Sequence, residues 1–443
     1  MVLECIGEYQ PIARAARVIP FPPPENARGL CACRLRNAER ISNVVRVAIA
    51  HDFLCQRGGA ERVVLHLASI LNDAFIATSV YSPEATYPEF ASMDVRAGRL
   101  ASKKEARRFR SRVLSYPHMF SSLDLSEADF VVVSSSAFAH HVRHERSVVY
   151  WHTPPRFLYD PAAYLPFRAS SAVTTLSTGI AKAVLYPLRR SDRRSAAHHL
   201  SHAANSKRTA GKLRAAYGVD PVVLHPPLDL ERLSRPLSPL PSLPRALVVS
   251  RLLPYKGVDV AIAACRQLGL PLTVVGSGPE EDRLRMLGGS LTTFKGMLSD
   301  EELVDVFLSH SVVLCPGVED FGYVPLEAGY CGRPVVGLLG SGAAESVIAG
   351  QTGELVDGWE PGLWSAAIDE VLGRSWDPER LRSAAERFGP AGFNAGFAEW
   401  ISEWVDPSEV LTREALAGIT STSKPDSPGL DMPAPDPGRA LEC

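Results

Sequence analysis

Short apolar runs recur along the chain. Each ends in glycine, proline or polar residues, and most are followed by a stretch with helical spacing. The first is Val44-Val45-Arg46-Val47-Ala48-Ile49-Ala50. A mostly apolar run of this length suits a strand buried on both faces of a parallel sheet. Gly58-Gly59 then opens a segment with Val63, Val64, Leu67, Ile70 and Leu71 near helical spacing. Further strands are predicted at 74–80, 129–134, 147–152 and 221–225. From Leu228 to Leu243 the pattern breaks and Pro236, Pro239 and Pro241 recur, as in a linker. A second series follows, with strands predicted at 246–250, 271–275, 291–294, 311–315 and 334–338. Strand–helix alternation on both sides of a proline-rich hinge predicts an α/β protein. Its two doubly wound domains face each other across a cleft.

The expected boundaries follow from these breaks. Residues 1–43 lack sustained periodicity and are expected as a disordered extension. A first Rossmann-like domain is expected over 44–227, a linker over 228–244 and a second domain over 245–389. A closing amphipathic helix with Phe397, Trp400, Ile401 and Trp404 is expected within 390–406, and a disordered tail over 407–443. Hydrophobic residues at 46% and charged residues at 22% fit a soluble globular protein. A net charge of -2 argues against a dedicated nucleic-acid binder. No apolar run approaches a membrane span, and the N-terminus lacks a signal peptide's apolar segment. The cysteines form neither a zinc pattern nor a disulfide framework, so a cytoplasmic location is expected.

Candidate chemistry concentrates in the second series. Glu319-Asp320-Phe321-Gly322-Tyr323-Val324-Pro325-Leu326-Glu327 follows a predicted strand and opens a predicted helix. Two carboxylates flank a helix start whose N–H groups suit an anion. Helix capping or solvated surface is the bland reading of such a pair. Arg251 and Lys256 follow another strand end, where cations would meet a diphosphate. His152 ends a predicted strand, a place more often held by a structural histidine. Arg156 offers a phosphate contact or a surface salt bridge. The basic stretch from Arg96 to Arg112, followed by Tyr116, Met119 and Phe120, is a candidate for membrane or acceptor contact, or a solvated helix face.

These motifs together resemble the family 4 retaining glycosyltransferases, which have the GT-B fold. The nonapeptide resembles the family's E-x7-E signature. Val249-Ser250-Arg251-Leu252-Leu253-Pro254-Tyr255-Lys256-Gly257 resembles its phosphate-binding segment, and Gly276-Ser277-Gly278-Pro279 its G-x-G-P turn. Gly340-Ser341-Gly342 is similar to a later glycine loop. His51-Asp52 with Gly58-Gly59-Ala60-Glu61 fits its first loop. Tyr150-Trp151-His152-Thr153-Pro154-Pro155-Arg156 is similar to a branch rich in mannosyltransferases of O-antigen and exopolysaccharide assembly. The likeness runs from about 45 to about 405.

The resemblance implies transfer of a hexosyl group from a nucleotide-sugar, with GDP-mannose leading, to a glycan or lipid-linked acceptor in cell-surface polysaccharide synthesis. It implies an acceptor-binding first domain and a closing helix that crosses back to it. His152, Arg251, Lys256 and Glu319 would be catalytic. Gly59, Gly276, Phe321, Gly322 and Tyr323 would join the donor site, with Glu319 on the sugar and Glu327 on the ribose. Arg156 would meet the acceptor. No metal or cofactor is expected, and peripheral contact with the inner face of the cell membrane fits a lipid-linked substrate. Rival readings are a nucleotide-sugar epimerase on the same fold and a non-catalytic nucleotide-sugar-binding subunit.

Overall fold

A computed structural model describes residues 45–98, 115–159 and 186–421. The expected extension at 1–43 lies outside these residues. The first sheet has seven parallel strands: β1 (Val47–Leu54), β2 (Phe75–Tyr81), β3 (Val95–Ala97), β4 (Phe130–Ser135), β5 (Ser147–Trp151), β6 (Ser201–Ala204) and β7 (Val222–Val223). Their order is β3-β2-β1-β4-β5-β6-β7. Every residue of β1 is buried: the apolar run Val47-Ala48-Ile49-Ala50 opens it, as suits a strand covered by helices on both faces, and His51 and Asp52 are buried after it. The second sheet holds β8 (Ala246–Val249), β9 (Leu272–Val275), β10 (Thr292–Gly296), β11 (Val312–Cys315), β12 (Val335–Leu338) and β13 (Gly353–Val356), in the order β10-β9-β8-β11-β12-β13. These strands are parallel too. Each sheet reverses its winding once, between β1 and β4 and between β8 and β11. Such switch points leave a crevice at the carboxyl ends of the strands.

Eight of the described helices frame the domains and their crossings. They are α1 (Gly59–Ile70), α2 (Lys207–Tyr217), α3 (Leu230–Leu233), α4 (Val258–Gln267), α5 (Tyr323–Tyr330), α6 (Pro390–Ile401), α7 (Pro407–Val410) and α8 (Arg413–Ser421). The chain crosses between domains twice. The first crossing leads into α3, where Leu228 and Leu233 are buried with Leu247 and Val313 of the second sheet. The second leads from Phe388 into α6, whose Phe393, Phe397 and Ile401 are buried with Val47, Ile49 and Tyr150 of the first sheet. The two crossings touch: the Leu228 N–H donates to the Phe388 carbonyl at 2.7 Å.

The expected tail is corrected at its start. Residues 407–421 form α7 and α8, and Val410, Leu411 and Ala415 are buried against Leu67, Ile70 and Leu71. Leu71 and Leu411 form an antiparallel bridge. Truncation after Asp406 is therefore expected to lower stability by about 3–6 kcal/mol, the burial of Val410 and Leu411 alone. A denaturation midpoint unchanged by the truncation would contradict this packing. Residues 422–443 lie outside the described residues.

Two aromatics of the candidate membrane stretch are core residues. Tyr116 and Phe120 are 3% and 0% exposed, packed with Phe53, Phe75 and Phe138, so neither is an interfacial anchor. Arg96 pairs with Asp94 and Glu127 at 2.9 and 3.1 Å. The basic residues from Arg99 to Arg112 lie outside the described residues. Among the described residues no helix is long and apolar enough to cross a membrane.

Candidate active site

The two domains enclose a cleft of ≈ 600 Å³ at the carboxyl ends of their strands. Ten of the eleven candidate residues line it. Gly59, His152 and Arg156 come from the first domain. Arg251, Lys256, Gly276, Glu319, Phe321, Gly322 and Tyr323 come from the second. Glu327 is not on the wall. It sits inside α5, 7% exposed, with its carboxylate paired to Arg232 of α3.

Lys256 is carried by the turn after β8. Gly257 follows it at φ 62°, a left-handed conformation that suits glycine, and a Cβ there would lie 3.0 Å from the Pro316 carbonyl. This close approach brings the lysine loop against the loop after β11. Lys256 Nζ pairs with the Glu319 carboxylate, and the lysine is 6% exposed. The loop Gly340-Ser341-Gly342 holds the Glu319 backbone. Ser341 Oγ accepts the Glu319 N–H at 2.9 Å, and the Gly342 N–H donates to the Glu319 carbonyl at 2.9 Å. Arg251 is exposed on the cleft, and among the described residues no carboxylate forms an ion pair with it. Gly59 faces the Tyr323 ring: an added Cβ would lie 2.7 Å from it. Its need for glycine is thus a contact between domains, whatever ligand lies beside it.

His152 follows β5 directly. Its Nε2 lies 2.8 Å from Ser134 Oγ, and Ser134 in turn meets His51. The Ser134 carbonyl is 3.1 Å from His51 Nδ1 and only accepts, so that nitrogen carries a proton. Burial, with His51 nearby, pushes the His152 pKa down to about 3, so the ring is neutral at physiological pH. A neutral imidazole sets no charge against the Lys256 ammonium on the same cleft. Burial disfavours the charged form of His51 as well, but Glu61 and Asp52 outweigh it and raise its pKa.

Arg156 lines the cleft and forms an ion pair, one of its two expected roles. It pairs with Asp320, which Lys212 of α2 also meets at 2.6 Å. Burial alone would raise the Asp320 carboxyl. Arg156 and Lys212 overcome it and hold it down at about 2. Asp320 stands inside the E-x7-E run, yet its role depends on partners more than one hundred positions away, which spacing does not reveal. Asp52 stands in the motif of the first loop, but its partners too lie far along the chain, where spacing does not reveal them. Its carboxylate accepts N–H groups of Ser136, Ala137, Phe138 and Ala139 at 2.5, 2.9, 2.5 and 2.7 Å. It thereby fixes the loop after β4, from which Ser136 and Ala137 face the cleft.

Among the described residues, one group of three ligand-type side chains comes together: His140, His141 and Asp192. Both histidines meet Asp192 Oδ1, at 2.9 and 3.2 Å, and Tyr159 and Tyr217 donate to Oδ2 at 2.9 and 2.8 Å. Ser135 and Ser195 satisfy the remaining ring nitrogens at 3.1 and 2.9 Å. Each ligand atom already has a partner, as in a buried structural network.

Residues 235–388 match the family model described as Glycosyl transferases group 1. Over 204 residues the chain is 33% identical to the D-inositol 3-phosphate glycosyltransferase of Mycobacterium sp. (strain KMS), covering 41% of this chain and 46% of that protein. It is 29% identical over 254 residues to that of Mycobacterium bovis (strain BCG / Pasteur 1173P2), covering 50% and 53%. The chain thus spans about half the length of the curated relatives it matches. Among solved structures it is similar to Anabaena Alr3699/HepE in complex with UDP-glucose, at 19% identity and TM-score 0.59, covering 81% of this chain and 99% of that one. It is also similar to the lipopolysaccharide outer core galactosyltransferase WaaB, at 15% identity and TM-score 0.57, covering 82% and 100%. At these identities the likeness is one of fold: two parallel-sheet, Rossmann-like domains in the GT-B arrangement.

Proposed function

We propose that this chain is a retaining glycosyltransferase that moves a hexosyl group from a nucleotide-sugar to a hydroxyl of an acceptor, with no metal required. The observation that carries the reading is the meeting of Lys256 and Glu319 across the ends of β8 and β11, opposite His152 from β5. A donor diphosphate takes Lys256 from Glu319. The freed carboxylate then accepts sugar hydroxyls. Breaking the bond between the sugar's anomeric carbon and the phosphate oxygen concentrates charge on the leaving diphosphate. Lys256 and Arg251 stabilise that charge more in the transition state than in the ground state. The acceptor hydroxyl bonds to the same face of the anomeric carbon and gives its proton to the departing phosphate, so the configuration is retained. For Glu327 to reach a ribose, its pair with Arg232 has to open. In this reading the second domain holds the donor and the first the acceptor, and the expected cell-surface polysaccharide product and peripheral membrane site are its natural setting.

GDP-mannose led among donors on the branch resemblance. The relatives are named for an inositol phosphate acceptor, and a fold neighbour holds UDP-glucose. Both donors belong in one screen. A nucleotide-sugar present at 100 times its dissociation constant is expected to add about 2.7 kcal/mol of stability in thermal unfolding. Unchanged unfolding with every nucleotide-sugar, including UDP-glucose and GDP-mannose, would remove the donor site from the cleft.

A further inference from the structure

The first domain's wall of the cleft holds a carboxylate oxygen that the protein leaves unsatisfied. Glu61 lies in the first turn of α1, lines the cleft and is 2% exposed. Its Oε1 accepts a hydrogen bond from Gln56 Nε2 at 2.9 Å. Its Oε2 is buried without a partner among the described residues. A buried carboxylate oxygen without a donor is costly, so its place in a cleft wall points to a donor that arrives from outside.

The backbone beside Glu61 supports this independently. Gly58 has φ -143° and ψ 176°, an extended conformation open to any residue. Conformation therefore does not require glycine there. What glycine leaves is room: a Cβ on Gly58 would lie 2.6 Å from Glu61 Oε2 and would displace that oxygen. The gap lies at a carboxylate oxygen that is buried and, among the described residues, lacks a donor. Thr153, on the same wall, carries a second buried polar atom without a partner, its Oγ1. Behind Glu61, His51 Nε2 stands 3.9 Å from Oε1, too far for a hydrogen bond but close enough to balance the charge.

We infer that Glu61 is a substrate-contacting residue whose Oε2 accepts a hydroxyl of the acceptor, with Thr153 as a neighbouring contact and His51 as the positioning residue behind it. This rests on the transferase reading and adds the acceptor's chemistry to it. A buried carboxylate repels phosphate, so the face presented to this wall is a neutral ring polyol. Any phosphate of the acceptor points away from Glu61.

The test measures transfer from the donor that the wild-type protein turns over, with myo-inositol and D-inositol 3-phosphate as acceptor probes, and UDP binding by calorimetry. Glu61→Gln is expected to raise the acceptor KM at least tenfold, the loss of one charge-assisted hydrogen bond, while the Kd for UDP stays within twofold. Gly58→Ala keeps an allowed backbone and pushes the carboxylate aside, so the same split is expected of it if Glu61→Gln folds poorly. An unmoved acceptor KM, or a UDP affinity that falls as far as the acceptor's, would assign Glu61 to a structural ion pair and overturn the inference. Wild-type protein that releases sugar from the donor but glycosylates neither polyol also overturns it and leaves the transferase reading standing. Wild-type protein that neither binds nor cleaves any nucleotide-sugar sinks that reading itself.

Discussion

Lys256→Ala is expected to lower turnover at saturating donor by roughly 10²–10³, the scale for removing one fixed stabiliser of transition-state charge. The lysine is suited to this because it is held in place before the donor arrives. Gly257 turns the loop against Pro316, and Glu319 keeps the ammonium at the mouth of the cleft. The arriving diphosphate has to draw the ammonium off Glu319 but not to move the loop that carries it. The fold should tolerate the change, since the Glu319 side chain left behind is 30% exposed and solvates. Lys256→Arg should recover only part of the rate, because a planar fork does not place charge where a point cation did. Saturated turnover of the alanine variant within threefold of wild type, with normal melting, would take Lys256 out of the mechanism.

The largest stability effect of a single substitution is expected at Asp320. Asp320→Asn leaves Arg156 and Lys212 against a neutral amide in a site that is 9% exposed. Removing one partner of a buried ionic group costs about 3–5 kcal/mol. The pH dependence has a definite sign. The folded protein holds this carboxyl at about 2, below its ordinary value near 4. The unfolded chain therefore binds the proton more readily, and Asp320 contributes ~2 kcal/mol at neutral pH. That contribution is present above about pH 4 and is lost as pH falls through about 2. Chemical denaturation at pH 7 and through this acid window measures both effects. An asparagine variant as stable as wild type at pH 7, with the same acid profile, would show that Arg156 and Lys212 gain nothing from Asp320.

The sequence was most legible where residues are buried on both sides. β1, β4, β8, β11 and β12 are built around runs of Val, Ile, Leu and Ala, and those runs are the direct mark of a parallel sheet with helices on each face. The missed strands lack that mark. β6 reads Ser-His-Ala-Ala, β13 reads Gly-Glu-Leu-Val and β3 has three residues. Sheet neighbours recruit them, not their own composition. The same divide runs through the site. Lys256, Glu319 and His152 stand beside strand ends and glycine turns, so their common destination is visible locally. Their partners are not. Arg232 reaches Glu327 across 95 positions, and Arg156 reaches Asp320 across 164. The start of the tail misled for a related reason. Pro407 and the acids around it resemble a linker, while Val410, Leu411 and Ala415 find their core on a helix that begins at Gly59.

The touching crossings at Leu228 and Phe388 set how the halves of this protein are able to move. Two backbones pass between the domains side by side, joined by a hydrogen bond. One domain cannot slide along the other without tearing that seam. A swing about the seam would leave it whole, with least travel at the axis and the widest travel at the lips of the cleft. Ion pairs between the domains, such as Arg62 with Asp300 and Arg156 with Asp320, then open and shut with the swing, while the seam itself stays whole.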